Sequence, residues 1–272
     1  MRRRRGLPGV FPGTPWRVWL LRPPGVYAPQ GDSELLLEAL AEATVPRGAR
    51  MLDVCTGTGV VALAGARLGA REVHAVDISA RAALAAAWNA RLRGLPVRAH
   101  RGDFLEHATG RFDVVTANPP YVPHSGSRHG APRRSRAWNA GQDGRRYVDR
   151  LCEAAPRLLT RNGVLLMVHS ALCGPDRTLE FLRRAGLEAT VTARRTQPFG
   201  PVLRERAAWL EQQRLIAPGQ RHEELVVIRA DLVPPEEHPD RRPGTPLHAR
   251  AGIRHGEKLS PGERPGAQHA ED

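Results

Sequence analysis

Lysine is nearly missing from this chain: of its 41 basic residues, Lys258 alone is not arginine. That preference follows a coding bias toward Ala, Arg, Gly and Pro, so it narrows the function classes very little. Cysteine is scarce in a more telling way. Cys55, Cys152 and Cys173 supply neither an even disulfide framework nor metal-ligand spacing, which points to a reducing compartment. The eleven histidines include no H-x-x-x-H pair and no C-x-x-C occurs, so no metal site is expected. No apolar stretch reaches membrane-spanning length, and the Arg2 to Arg5 run leads into Gly, Pro and Val instead of a signal-like apolar core. These absences describe a cytoplasmic protein with no membrane span.

What is present is enough chain for a substantial core and a large positive charge: 272 residues at a net +13. Residues 233–272 hold six basic against seven acidic side chains, so the whole excess lies in the other 232 residues. It would attract RNA, ribosomes or another polyanion, although a uniformly solvated basic surface gives the same count. Its most pointed cluster is the loop 124–136, with Arg128, Arg133, Arg134 and Arg136.

Strand-like runs near 50–54, 72–76, 97–101, 112–117, 163–169, 189–195 and 224–230 alternate with helical segments such as 34–43, 80–92, 147–159 and 175–185. That alternation predicts an α/β fold, a Rossmann-like, doubly wound seven-stranded sheet. After Leu232, prolines interleave with charges and apolar periodicity stops, so 233–272 reads as a disordered tail. Residues 1–15 read as a flexible basic arm, leaving 16–232 as one folded domain. Residues 194–221 look like an insertion, a loop followed by an amphipathic helix. Leu203, Ala207, Leu210 and Arg214 recur at helical spacing there, which predicts a helix covering the sheet.

Met51 to Ala62 reads as an apolar strand, then a glycine loop, then a helix starting near Val60. Gly57 and Gly59 permit positive φ and close backbone approach, and this loop also fits a dinucleotide fingerprint, G-x-G-x-x-A. Asp53 separates the two readings. A carboxylate four residues before Gly57 would repel a pyrophosphate but suits a cofactor carrying an ammonium and a sulfonium, namely S-adenosylmethionine. The next strand ends in Asp77, followed by Ile78, where an acid accepts from ribose hydroxyls. The third ends in Asp103 and Phe104, an acceptor for an adenine amine and a ring to pack on it. Each acid alone is equally a helix cap or a solvated loop residue. Together with Asn118 they fall at successive strand ends, so they converge on one sheet edge.

The fourth strand runs into Asn118-Pro119-Pro120-Tyr121. Asn118 offers a side-chain carbonyl, Pro119 a backbone carbonyl, the two prolines fix φ, and Tyr121 offers a face to a planar group. Such a tetrad suits a flat NH2 group, whose delocalised lone pair is a poor nucleophile until acceptors take its N–H bonds. Taken alone, the same residues also make an ordinary turn.

With these motifs the chain resembles the HemK (PrmC-like) class I methyltransferases. The resemblance covers most of the chain, including Val26 to Leu37 with Tyr27, Pro29, Asp32 and Ser33, and the stretch from Ala137 through Gly141, Asp143 and Gly144. It implies S-adenosylmethionine as cofactor, Asp32 and Ser33 at the cofactor, and a protein acceptor such as a release-factor glutamine, with lysine also known in the family. Asp32 or Ser33 could equally cap the following helix. Too few residues precede the cofactor loop for the N-terminal helical domain of larger bacterial members, and Asp53 stands where much of the short branch has Glu. N6-adenine in DNA or RNA is the alternative acceptor, because a tetrad that grips an amine edge also grips a flipped base. A small-molecule N-methyltransferase and a non-catalytic RNA-binding protein complete the alternatives.

Overall fold

The computed structural model describes residues 19–124 and 140–233. The expected arm at 1–15, all but His124 of the arginine-rich loop 124–136, and all but Val233 of the expected tail at 233–272 lie outside the described residues.

Seven strands form one sheet: β1 (Arg50–Val54), β2 (Glu72–Asp77), β3 (Val97–Arg101), β4 (Phe112–Ala117), β5 (Leu159–Ser170), β6 (Glu188–Pro198) and β7 (His222–Asp231), in spatial order β3-β2-β1-β4-β5-β7-β6. Helices α1 (Gly31–Glu42), α2 (Val60–Arg67), α3 (Ala80–Arg91), α4 (Phe104–His107), α5 (Arg146–Leu158), α6 (Pro175–Arg184) and α7 (Pro201–Gln212) connect them. The sheet is not parallel throughout. β7 lies antiparallel between β5 and β6, and its apolar run is the pattern a buried strand shows in either direction.

Period-two alternation splits the apolar residues between two layers. In β5, Val164, Leu166 and Val168 join α1 and α2 in one core, while Leu165 and Met167 join α5 and α6 in the other. Each such fully buried side chain contributes about 1.5–3 kcal/mol, so a one-residue register slip would expose both sets.

Two expectations change at the far edge. Arg194 to Pro198 continue β6 instead of forming a loop, because β7 supplies a hydrogen-bonding partner that far. Helix α7 buries Leu203, Ala207 and Leu210 as predicted, but against Phe199 and Ile216 in a small separate cluster. Arg214 lies beyond its end at φ 57°. The helix therefore borders the site instead of lying flat on the sheet.

Candidate active site

A cavity of about 430 Å³ opens at the carboxyl edge of the parallel strands. Such edges collect side chains because each strand ends there and each loop turns away. β7 contributes as well: running the opposite way, it begins at this edge, so Glu223 reaches the cavity wall.

The end under β1, β2 and β3 is built by local turns. The chain leaves β1 through Cys55 (φ 59°) and Gly57 (φ 56°) and enters α2 through Gly59 (φ 83°). Gly57 and Cys55 line the cavity, and a side chain on Gly57 would meet open space. The Gly57 amide donates to Asp77 Oδ2 (3.0 Å) and the Ser79 amide to Asp77 Oδ1 (2.9 Å). Burial raises the Asp77 pKa, and those two amides partly offset it. Ile78 projects an apolar side chain, 62 % exposed, along the same wall. Asp103 and Phe104 close this end with Arg150, which pairs with Asp103 at 2.5 Å and lies 5.3 Å from the Phe104 ring centre.

The other end is assembled from distant segments. Asn118 lines the cavity, and its Nδ2 donates to Ser33 Oγ (3.4 Å), a bond that leaves the carbonyl oxygen unused. The Tyr27 and Tyr121 hydroxyls both donate to Asp32 Oδ2, at 2.7 and 3.2 Å. Burial, then Asp32, raises both phenols far above their ordinary range, so they stay neutral donors. Gln197 Nε2 donates to Glu223 Oε1 (3.1 Å), joining β6 and β7 at the cavity wall. Behind the tetrad, Cys173 Sγ donates to the Tyr121 carbonyl (3.2 Å), and Gly144 packs so closely on that carbonyl that any Cβ would strike it.

Several sequence-level assignments change. Asp53 does not line the cavity: it is 2 % exposed, with its oxygens taken by the Thr56 (2.5 Å) and Thr116 (2.7 Å) hydroxyls. Those bonds tie the loop to β4, and burial pushes the Asp53 pKa up to about 6. Gly59 also lies outside the wall; its Cβ would come 2.9 Å from that of Ala86, so it is needed where α2 approaches α3. Ser33 sits one layer back, against Asn118. Neither Asp32 nor Ser33 caps a helix, since α1 starts at Gly31 and its N-cap is Gln30. Asp103 lines the cavity but also caps α4 through the Leu105 amide (3.0 Å). Tyr121 belongs to the core and is tied through its hydroxyl, leaving part of its surface on the cavity. Pro119 and Pro120 stand in the wall as expected.

Sequence reasoning did not assign Tyr27, Gln197, Glu223, Arg150 or Gly144 to the site. Only Tyr27 and Gly144 stood in quoted motifs; Gln197 and Glu223 are polar residues at the ends of ordinary strands, with no local pattern to mark them. Burial raises the Cys55 thiol well above its usual range, so this cysteine is not a thiolate. Among the described residues, no group of three His, Cys, Asp or Glu could hold a metal ion, and no helix is long and apolar enough to cross a membrane.

The family profile described as "Methyltransferase small domain" matches residues 17–134. With the sheet order and the glycine loop facing Asp77, this defines an S-adenosylmethionine-dependent methyltransferase of the class I, Rossmann-like fold. A Methanocaldococcus jannaschii protein named as an N5-glutamine methyltransferase is 34% identical over 176 residues, 65% of this chain and 88% of that one. The release factor glutamine methyltransferase of Deinococcus radiodurans is 36% identical over 169 residues, and the match spans 60% of each chain. Among solved structures, the E. cuniculi Mtq2-Trm112 complex, described as methylating the eRF1 translation termination factor, superposes with TM-score 0.53 at 22% identity. It covers 76% of this chain and 98% of that one. The chain belongs to the HemK family of methyltransferases.

Proposed function

We propose that this enzyme methylates a planar amide nitrogen on a protein, a glutamine side chain in a translation release factor. Support for the substrate class comes from the relatives' names and from one observation, the Asn118 amide bonded to Ser33 through its nitrogen, which leaves its carbonyl oxygen unused. S-adenosylmethionine, when bound, supplies a methyl group made electrophilic by its sulfonium. The residues fit that cofactor: Gly57 leaves open space beside the loop, Asp77 is an acceptor for ribose hydroxyls, Ile78 and Phe104 are apolar surfaces for a base, and Asp103 is an acceptor for its amine. Asp32 is assigned to the junction between cofactor and acceptor.

At the acceptor, the Asn118 and Pro119 carbonyls take the two N–H bonds and Tyr121 supports the plane. Taking both N–H groups returns electron density to the nitrogen and fixes its approach, so positioning and desolvation carry the rate. No strong base is needed beforehand, since the nitrogen turns acidic as it is alkylated. Residues 16–232 are read as the catalytic domain, in a cytoplasmic protein whose arginine excess favours release factors on ribosomes as the setting.

The test uses labelled cofactor with release factor, ribosomes, DNA and a lysate as separate arms. Wild-type enzyme should label the release factor. Asn118→Ala should bind cofactor normally by calorimetry yet lose about 100- to 1,000-fold in turnover. Near-wild-type transfer by that variant would sink the assignment of the tetrad, and labelling of DNA or RNA alone would move the acceptor to adenine.

A further inference from the structure

Glu223 is the one acid of the cavity wall that the proposed chemistry leaves unused. It is 4 % exposed, and its two oxygens differ sharply. Oε1 accepts from Gln197, whereas Oε2 has no hydrogen-bond partner among the described residues, the nearby Ser170 hydroxyl included. A buried polar atom left bare costs about 1–3 kcal/mol, so an unpaired oxygen on a residue that lines the cavity marks a place where a ligand can complete the bonding.

Its surroundings say which kind of atom. The groups that face it are Asp32 from α1, Tyr27 before that helix, Tyr121 after β4, Gln197 on β6, and Ser170 with Cys173 at the end of β5. None is a cation. Among the described residues, the arginines of the cavity wall are Arg146 and Arg150 of α5, and Arg150 is paired with Asp103. With a second carboxylate close by and no positive charge beside it among the described residues, the balance at Glu223 shifts toward the neutral form: burial raises its pKa, Asp32 raises it further, and the Gln197 hydrogen bond offsets only part. A neutral carboxyl accepting at Oε1 has a proton to donate at Oε2.

We propose that Glu223, through Oε2, donates a hydrogen bond to the carbonyl oxygen of the acceptor's carboxamide while Asn118 and Pro119 take its N–H groups. This rests on the amide-acceptor reading and extends it. The tetrad recognises an NH2 group, which an amine also offers; Glu223 recognises the acceptor atom beside that group, which a lysine amine lacks. A site built to pair a polar group rejects analogues lacking it, since its own partner is then left bare.

The test compares wild-type, E223Q and E223A enzymes on a release factor carrying the acceptor glutamine and on the same factor with lysine in its place. Calorimetric titration of cofactor and of the glutamine factor accompanies the transfer rates. Glutamine keeps both functions, accepting from Gln197 and donating an N–H, so E223Q should stay within about fivefold of wild type. E223A should lose about 30-fold or more in kcat/KM on glutamine, with weaker factor binding, unchanged cofactor binding and an eroded preference over lysine. Wild-type transfer should also decline as pH rises through the raised Glu223 pKa and strips its proton, a limb that E223Q lacks. If E223Q falls as far as E223A, or gains nothing at high pH, Glu223 acts as a carboxylate and the proposal is overturned. Wild-type activity in E223A overturns it equally. A wild-type enzyme that ignores the glutamine factor overturns the amide reading itself, and this proposal with it.

Discussion

The two ends of the cavity are built differently. At the end under β1, β2 and β3, every wall residue named except Arg150 of α5 sits within a turn or two of its own strand end: Cys55 and Gly57 after β1, Asp77 and Ile78 at the end of β2, Asp103 and Phe104 after β3. At the other end, Tyr27, Asp32, Asn118, Tyr121, Gln197 and Glu223 come from four separate stretches and are joined by side-chain hydrogen bonds. A local turn keeps its shape when its neighbours move, whereas a network spanning the chain holds only if every segment is in register. The cofactor end should therefore tolerate substitution at the acceptor end, and the reverse.

The sharpest way to break that division is Gly144→Ala. Gly144 has φ 75°, and any Cβ strikes the Tyr121 carbonyl, so backbone must shift. A loss of about 3 kcal/mol or more is expected, roughly 6–12 °C in Tm for a domain of this size. Thermal melts should show it, with turnover lost and calorimetric cofactor affinity kept in the folded fraction. If cofactor affinity collapses alongside, the two ends are not separable.

Asp77→Ala probes the opposite end. It removes the acceptor of the Gly57 and Ser79 amides and the carboxylate offered to a ribose, so cofactor affinity should fall about 10- to 100-fold with the KM for the acceptor unchanged.

Asp53 and His169 are both buried and pull stability in opposite directions. The Asp53 pKa is raised from 3.8 to about 6, so the folded chain holds its proton longer; that stability is full below about pH 4 and lost as pH rises through 6. The His169 pKa is lowered by burial from 6.5 to about 4, so its contribution is full above 6.5 and lost as pH falls through 4. Each is worth on the order of 3 kcal/mol, and over this window they offset each other. Asp53→Asn should unmask a denaturant-measured stability that climbs from pH 4 to 6.5; a curve as flat as that of the wild type would show that Asp53 is not buried as described.

The smallest effect belongs to Cys55→Gly. Cys55 holds a left-handed conformation at φ 59°, and glycine relieves roughly 1 kcal/mol there, offset by lost packing of the half-buried thiol. A rise in Tm of a degree or two with unchanged cofactor affinity is expected.

The contrast between the two ends is also a contrast in legibility. All seven strands were readable from apolar runs, and Asp77, Ile78, Asp103, Phe104 and the tetrad stood where strand ends predicted them, because strand, turn and acid lie within a few residues of one another. The burial of Asp53 was not legible in its charge: Thr56 is three residues away, but Thr116 arrives from β4, which only pairing with β1 brings alongside. The packing of Gly59 was hidden likewise, since Ala86 on α3 is what forbids a side chain there.

By itself the sequence determined the layered α/β architecture, the glycine loop, the acids that follow it and the Asn-Pro-Pro-Tyr tetrad, since each is set by local periodicity, backbone freedom and fixed φ. Tertiary structure alone decided that β7 runs antiparallel, that Glu223 and Gln197 thereby reach the cavity beside Asp32, and which carboxylates are withdrawn from it. Those outcomes depend on burial and on partners dozens of residues away, and neither is encoded in any short stretch of the chain.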